Sequence, residues 1–141
     1  MKINCHCHIF SLDCVPQEFR NRFILDVKNP VHRLIHRFLK IILPDGSSLE
    51  TWIDLCTLPI SEIAHRLVRE MDEAGLDMCT SLMMDMEFCK GFGGRVKSFE
   101  EQTAETVEAV DEINRDYCRP RMLPFIAADP RRKDVVCTGE R

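Results

Sequence analysis

Residues 61–84 read SEIAHRLVREMDEAGLDMCTSLMM, and this stretch decides the fold class. Ile60, Ala64, Leu67, Met71 and Ala74 recur at helical spacing, so a helix over Ser61–Ala74 turns one stripe inward. Ser61 suits the N-cap, Glu62 complements the positive first turn, and Gly75 suits a left-handed C-terminal cap. Met78–Met84 follows as a buried strand, with Asp85 near its C-terminal end. A helix feeding directly into a buried strand is half of a parallel β/α unit.

The same alternation extends both ways. Upstream, Lys2–Phe10 is strand-like, with Ile3, Cys5, Cys7 and Ile9 on one face and Asn4, His6 and His8 on the other. Downstream, Ser98 caps a helix over Phe99–Asp116, with Phe99, Ala104, Val107, Val110 and Ile113 on one side. Arg121–Ala128 is a third apolar strand, closed by Asp129-Pro130. Parallel strands need crossover connections, so this order predicts about three parallel β-α units.

A helical insertion over about 16–56 interrupts the pattern after the first strand. It starts with short turns after Pro16. Asn29-Pro30 then opens an amphipathic helix over Val31–Ile42. Val31, Leu34, Ile35, Phe38, Leu39, Ile41 and Ile42 form its apolar stripe, expected to pack inward. His32, Arg33, His36, Arg37 and Lys40 form its basic face, expected to be solvated. Binding of that helix to anionic lipid or an acidic partner is the secondary reading.

Composition narrows the function classes. The chain has 141 residues, 45% of them hydrophobic, which is enough for a packed core. No apolar run approaches the roughly 18 residues of a membrane span, and MKINCHCHIF lacks the apolar centre of a signal peptide. The net charge of −4 argues against a nucleic-acid partner. Eight cysteines without any C-x-x-C read as reduced cytoplasmic thiols. The expectation is a cytoplasmic protein with a small-molecule substrate and neither nucleic-acid nor membrane partner.

His6-Cys7-His8 carries the chemistry. Residues i and i+2 of a strand point the same way, so both imidazoles can reach one ion. Neutral imidazole suits zinc and similar divalent metals. In parallel β/α folds, functional groups gather at the C-terminal strand ends, where this pair lies.

Asn4-Cys5-His6-Cys7-His8 resembles the first-strand H-x-H motif of the amidohydrolase superfamily, in its amidohydrolase-related branch of metal-dependent hydrolases and decarboxylases. Met71-Asp72-Glu73-Ala74-Gly75-Leu76-Asp77 resembles that family's passage into the second strand. Leu123-Pro124-Phe125-Ile126-Ala127-Ala128-Asp129-Pro130 resembles its third strand and the loop after it. Asn4 departs from the Asp common in the family. The resemblance implies a TIM-like (β/α)8 barrel with a divalent metal, usually zinc, held by His6 and His8. It implies water attack on an amide, ester or lactone, or decarboxylation in the alternative branch. Later strands supply the family's other ligands and its general base, so no residue here is assigned as that base. A whole barrel needs about 200–250 residues. Residues 1–141 are therefore expected to form one incomplete barrel domain, with a first strand over about 3–9 and β-α units over about 60–141. Its open sheet edges call for an oligomer or a complementing chain. A non-catalytic fragment and a small Cys-His metal module using Cys5, His6, Cys7 and His8 are the remaining alternatives.

Other features weigh less. Asp85 and Asp129 could line the pocket mouth, but a solvent-facing loop residue and ordinary turn chemistry are the simpler readings. His32 and His36 have zinc-ligand spacing but sit in a basic stripe that repels cations. Gly91-Phe92-Gly93-Gly94 is not a dinucleotide fingerprint and reads as a flexible loop or a lid. No G-x-S-x-G nucleophile elbow is present.

Overall fold

The computed structural model describes residues 1–23, 26, 28–43, 51, 53, 57–85, 87, 91–94, 96–127 and 129–132. Three strands, β1 (Ile3–Cys7), β2 (Met78–Met84) and β3 (Met122–Ala127), form a parallel sheet in the order β1-β2-β3. Four α-helices accompany them among the described residues: α1 (Gln17–Arg22), α2 (Pro30–Ile42), α3 (Ile60–Glu73) and α4 (Phe99–Asp116). The class is mixed α/β, with α3 joining β1 to β2 and α4 joining β2 to β3.

Local chemistry sets the helix ends. Asn29 Oδ1 accepts the Val31 N–H at 2.9 Å, and Pro30 occupies the first turn of α2. Ser98 and Glu101 form a complete capping box on α4. Gly75 ends α3 at φ +67°, the left-handed cap that the sequence predicts. Ser61, however, is not the N-cap. Pro59 takes that position in extended backbone, and its carbonyl already accepts the Ile63 N–H at 3.1 Å, so α3 begins at Ile60.

The core lies on one face of the sheet. Ile60, Ile63, Ala64, Val68 and Met71 of α3 meet Ala109, Val110 and Ile113 of α4 above Cys79 and Met122. Ala74 and Ala104, expected inside, are exposed. The inward stripe of α4 runs through Gln102 and Thr106 instead. Both are tolerated because Gln102 donates to the Lys97 carbonyl at 2.7 Å and Thr106 to the Gln102 carbonyl at 2.9 Å. Regular pairing of β2 with β3 puts Thr80, Leu82, Leu123 and Phe125 on the opposite face, where Leu123 and Phe125 are exposed.

The expected two-faced alternation of the first strand breaks early. Asn4 pairs with Cys79 but Cys7 pairs with Ser81, a shift that marks a bulge. Asn4 Oδ1 captures the His6 N–H at 3.0 Å, the local bond by which an Asn side chain competes with a sheet ladder. The strand ends at Cys7, so His8 and Ile9 lie just beyond it.

The insertion departs most from expectation. Most of the apolar stripe of α2 does not pack inward; only Ile35 and Leu39 of it are half-buried. His32 and His36 are buried, whereas Val31, Leu34, Phe38, Ile41 and Ile42 are exposed. Helical spacing fixes which residues share a side, but tertiary contacts decide which side turns in. Residues 44–50 and most of 52–56 lie outside the described set.

The glycine loop is docked on α1. Gly93 N–H donates to Glu18 Oε2 at 2.7 Å, the Gly93 carbonyl accepts the Glu18 N–H at 3.1 Å, and Phe92 meets Phe19 edge-on. Gly94 sits at φ +87°, and a Cβ there would lie 2.9 Å from Gln17 Cβ. Gly94→Ala is expected to cost about 1–2 kcal/mol through left-handed strain, read as a lower urea midpoint in the full chain.

Candidate functional site

The histidine pair is built by the bulge and by β2. His8 Nδ1 lies 2.8 Å from the Leu82 carbonyl. A carbonyl only accepts, so this nitrogen carries the proton and donates. In the neutral ring the lone pair then belongs to Nε2. That atom faces His6 Nε2 at 3.1 Å, with the two rings nearly perpendicular. Two nitrogens at about 2.0–2.1 Å from one tetrahedral ion stand roughly 3.3 Å apart, so the pair has the spacing of ligands that share a cation. Anchoring the second ring nitrogen on a backbone carbonyl is the usual way a metal-binding imidazole is oriented.

The cysteines do not join them. Cys7 Sγ donates to the Thr80 carbonyl at 3.1 Å and packs against the core. Its hydrogen bond with Cys79, followed by burial, pushes the Cys79 thiol strongly up, so Cys79 stays neutral at the sheet. Cys5, His6, Cys7 and His8 therefore do not converge as four ligands among the described residues.

Asp85 is not a solvent-facing loop residue. Its side chain is 3% exposed and accepts a bidentate pair from Arg132, at 2.6 Å from Nε and 3.0 Å from Nη2. The Asp129 N–H at 3.1 Å and the Glu87 N–H at 3.3 Å complete its shell. Burial pushes its carboxyl up, but the Arg132 bonds and the two amides outweigh this and hold it below the usual carboxylate range. Asp129 is held by Arg131, whose hydrogen bonds bring its carboxyl down to about 2. Both acids are thus committed to arginines, and Asp85 ties the segment after β2 to the segment after β3 through Arg132 and the Asp129 N–H.

Two features escaped sequence reasoning. His65 of α3 lies 3.7 Å from Glu112 and 3.4 Å from Asp116 of α4. Ligand atoms of these three lie within 4.8 Å of one another. The i, i+4 acids were visible in the sequence, but their partner on another helix was not. A cavity of about 370 Å³ is lined by Asp13, Arg20, Asp26, Lys28, Lys97 and Glu101 and is separate from the histidine pair. Its charges largely satisfy one another, since Arg20 and Lys28 both bond Asp13, at 2.6 and 3.0 Å. His32 and His36, though both buried, belong to no three-ligand group among the described residues.

Compared with protein-family models, with curated proteins and with solved structures, the chain matches none.

Proposed function

We propose that the chain forms the opening units of an amidohydrolase-type barrel, in which His6 and His8 hold a divalent metal, most simply zinc. The carrying observation is the 3.1 Å approach of two Nε2 atoms, one of them given its lone pair by the Leu82 carbonyl. Three parallel strands in sequence order, with helices on one face and exposed Leu123 and Phe125 on the other, support the barrel reading. In a closed barrel that second face becomes the packed interior.

A metal held there would supply a bound water of lowered pKa and a Lewis acid for a substrate carbonyl. The fitting reaction is hydrolysis of a small amide, ester or lactone. Asn4 takes the His6 N–H beside the bulge, Leu82 fixes the His8 tautomer, and His8 Nε2 accepts the Nε2–H of His6, a proton that an ion would displace on joining the pair. His6 and His8 would supply two of the ligands of such an ion. Asp85 and Asp129 are bound to arginines, so neither serves as general base. The free thiols Cys5, Cys7, Cys14, Cys79 and Cys118 fit a reducing, cytoplasmic setting.

Titration of the full chain with zinc by calorimetry, and with cobalt by absorbance, tests this. One site is expected, weakened roughly a hundredfold or more by His6→Ala or His8→Ala. Cys5→Ser and His65→Ala should leave it unchanged. Binding that survives both histidine variants but is lost in His65→Ala would place the ion between α3 and α4 and overturn the proposal. Thiolate-to-cobalt charge transfer abolished by Cys5→Ser would overturn it too.

A further inference from the structure

The exposed side of α2 has no role in the metal reading and stands independently of it. Val31, Leu34, Phe38, Ile41 and Ile42 are 60%, 68%, 60%, 81% and 56% exposed. Arg33, Arg37 and Lys40 are exposed beside this row. No acid occurs between Asp26 and Asp45, in a chain where Asp and Glu outnumber Lys and Arg by 23 to 19. The protein therefore turns out an apolar row and a basic row together, on a helix whose inner side is closed by His32 and His36.

We propose that this face of α2 binds an anionic phospholipid surface. The helix spans 13 residues, about 20 Å, which is too short to cross a hydrocarbon core of about 30 Å. No helix among the described residues is long and apolar enough to cross a membrane. An interfacial position matches its design: the apolar row enters the headgroup–acyl boundary, and the basic row meets lipid phosphates and carboxylates. A second copy of the chain fits less well. Pairing two such faces would set Arg33 and Arg37 of each copy against one another, with no acid on the helix to relieve them. The lack of a spanning apolar run bears on a transmembrane segment and not on an interfacial helix, and the outward turn of α2 favours the latter.

Flotation of the full chain with phosphatidylcholine vesicles, with and without phosphatidylserine, reads the binding. Binding is expected only with phosphatidylserine and should weaken as salt rises. Each basic residue contributes about fivefold to partitioning, so Arg33→Gln/Arg37→Gln should lower it about 25-fold. Leu34→Asp/Phe38→Asp should abolish it while circular dichroism stays unchanged, because both positions are exposed. A folded wild-type chain that stays off anionic vesicles, or binds both vesicle types equally, overturns the proposal. So does a dimer in solution that Leu34→Asp/Phe38→Asp dissociates while vesicles capture nothing; the face would then be a contact between copies.

Discussion

Asp85→Ala is expected to destabilise the chain by about 3–5 kcal/mol, the range for removing one partner of a buried ion pair. The reason lies in what the carboxylate leaves behind. Arg132 keeps its guanidinium largely buried, with its carbon over the Phe99 ring at 4.3 Å and Glu87 as a second acidic contact. Without Asp85 it loses two short charge-assisted bonds, and the Asp129 and Glu87 amides lose their acceptor. Net stabilities of single domains are only about 5–15 kcal/mol, so this is a large fraction. With a urea slope near 2 kcal/mol/M, the midpoint should fall by about 2 M. Asp85→Asn keeps one acceptor oxygen and should recover part of the loss. A shift under about 0.5 kcal/mol would show that the loop network carries no stability.

The same group sets a pH dependence. The Asp85 carboxyl is held below its ordinary value in the folded chain. Its contribution is therefore complete above the ordinary aspartate range, near 3.9, and is lost as pH falls through the lower folded value. Arg132 is pushed further up, by its bond to Asp85 first, and stays charged throughout. Urea midpoints should therefore fall for the wild type as pH drops below about 4, with this group contributing nothing to any change above that. The Asp85→Ala chain should decline less over the same interval, because the responding group is gone.

How much of this was legible in the sequence depends on the range of the interaction. Asn29-Pro30 and Ser98 with Glu101 act within one helical turn, and both helices start where those residues place them. Met78–Met84 was bounded correctly because a short buried apolar run between a capped helix and Asp85 leaves little freedom. The first strand was read too long, since periodicity does not register that Asn4 takes the His6 N–H out of the ladder. The H-x-H spacing predicts neighbouring imidazoles on an unbroken strand, whereas His6 and His8 meet across a bulge, with His8 beyond the strand end. The Leu82 carbonyl that fixes the tautomer comes from 74 residues away and left no local trace. Asp85 and Arg132, 47 residues apart, form a pair that no motif announces. For α2, the amphipathic pattern identified the stripe correctly, yet a stripe has no sign: nothing local says whether it meets a core or an outer surface.

Arg121 provides the second large effect, for a different physical reason. It precedes β3, and at 1% exposure it is the largest fully buried side chain among the described residues. It looks out of place beside Met122, but its donors are met from three directions. Nε bonds the Asp77 carbonyl at 3.0 Å, and Nη2 bonds Asp72 at 2.6 Å and the Leu76 carbonyl at 3.4 Å. The Tyr117 ring covers the guanidinium at 5.1 Å. Arg121 thus closes the turn between α3 and β2 onto the entry of β3, which keeps neighbouring parallel strands in register. Its partner Asp72 is half exposed and can return to water, but the guanidinium cannot, so loss of the carboxylate leaves a buried charge held by carbonyls and the Tyr117 ring alone. The backbone carbonyls cannot rehydrate as easily, and truncation leaves a cavity between α4 and the sheet. Arg121→Ala should therefore cost about 3–4 kcal/mol, combining unsatisfied carbonyls with lost packing, whereas Asp72→Asn keeps an acceptor oxygen for Nη2 and should cost less, about 1–2 kcal/mol. Arg121→Met restores most of the volume and none of the donors, so the gap between Met and Ala measures packing and the gap between Arg and Met measures hydrogen bonding. Equal losses for Asp72→Asn and Arg121→Ala would locate the energy in the ion pair and contradict this division.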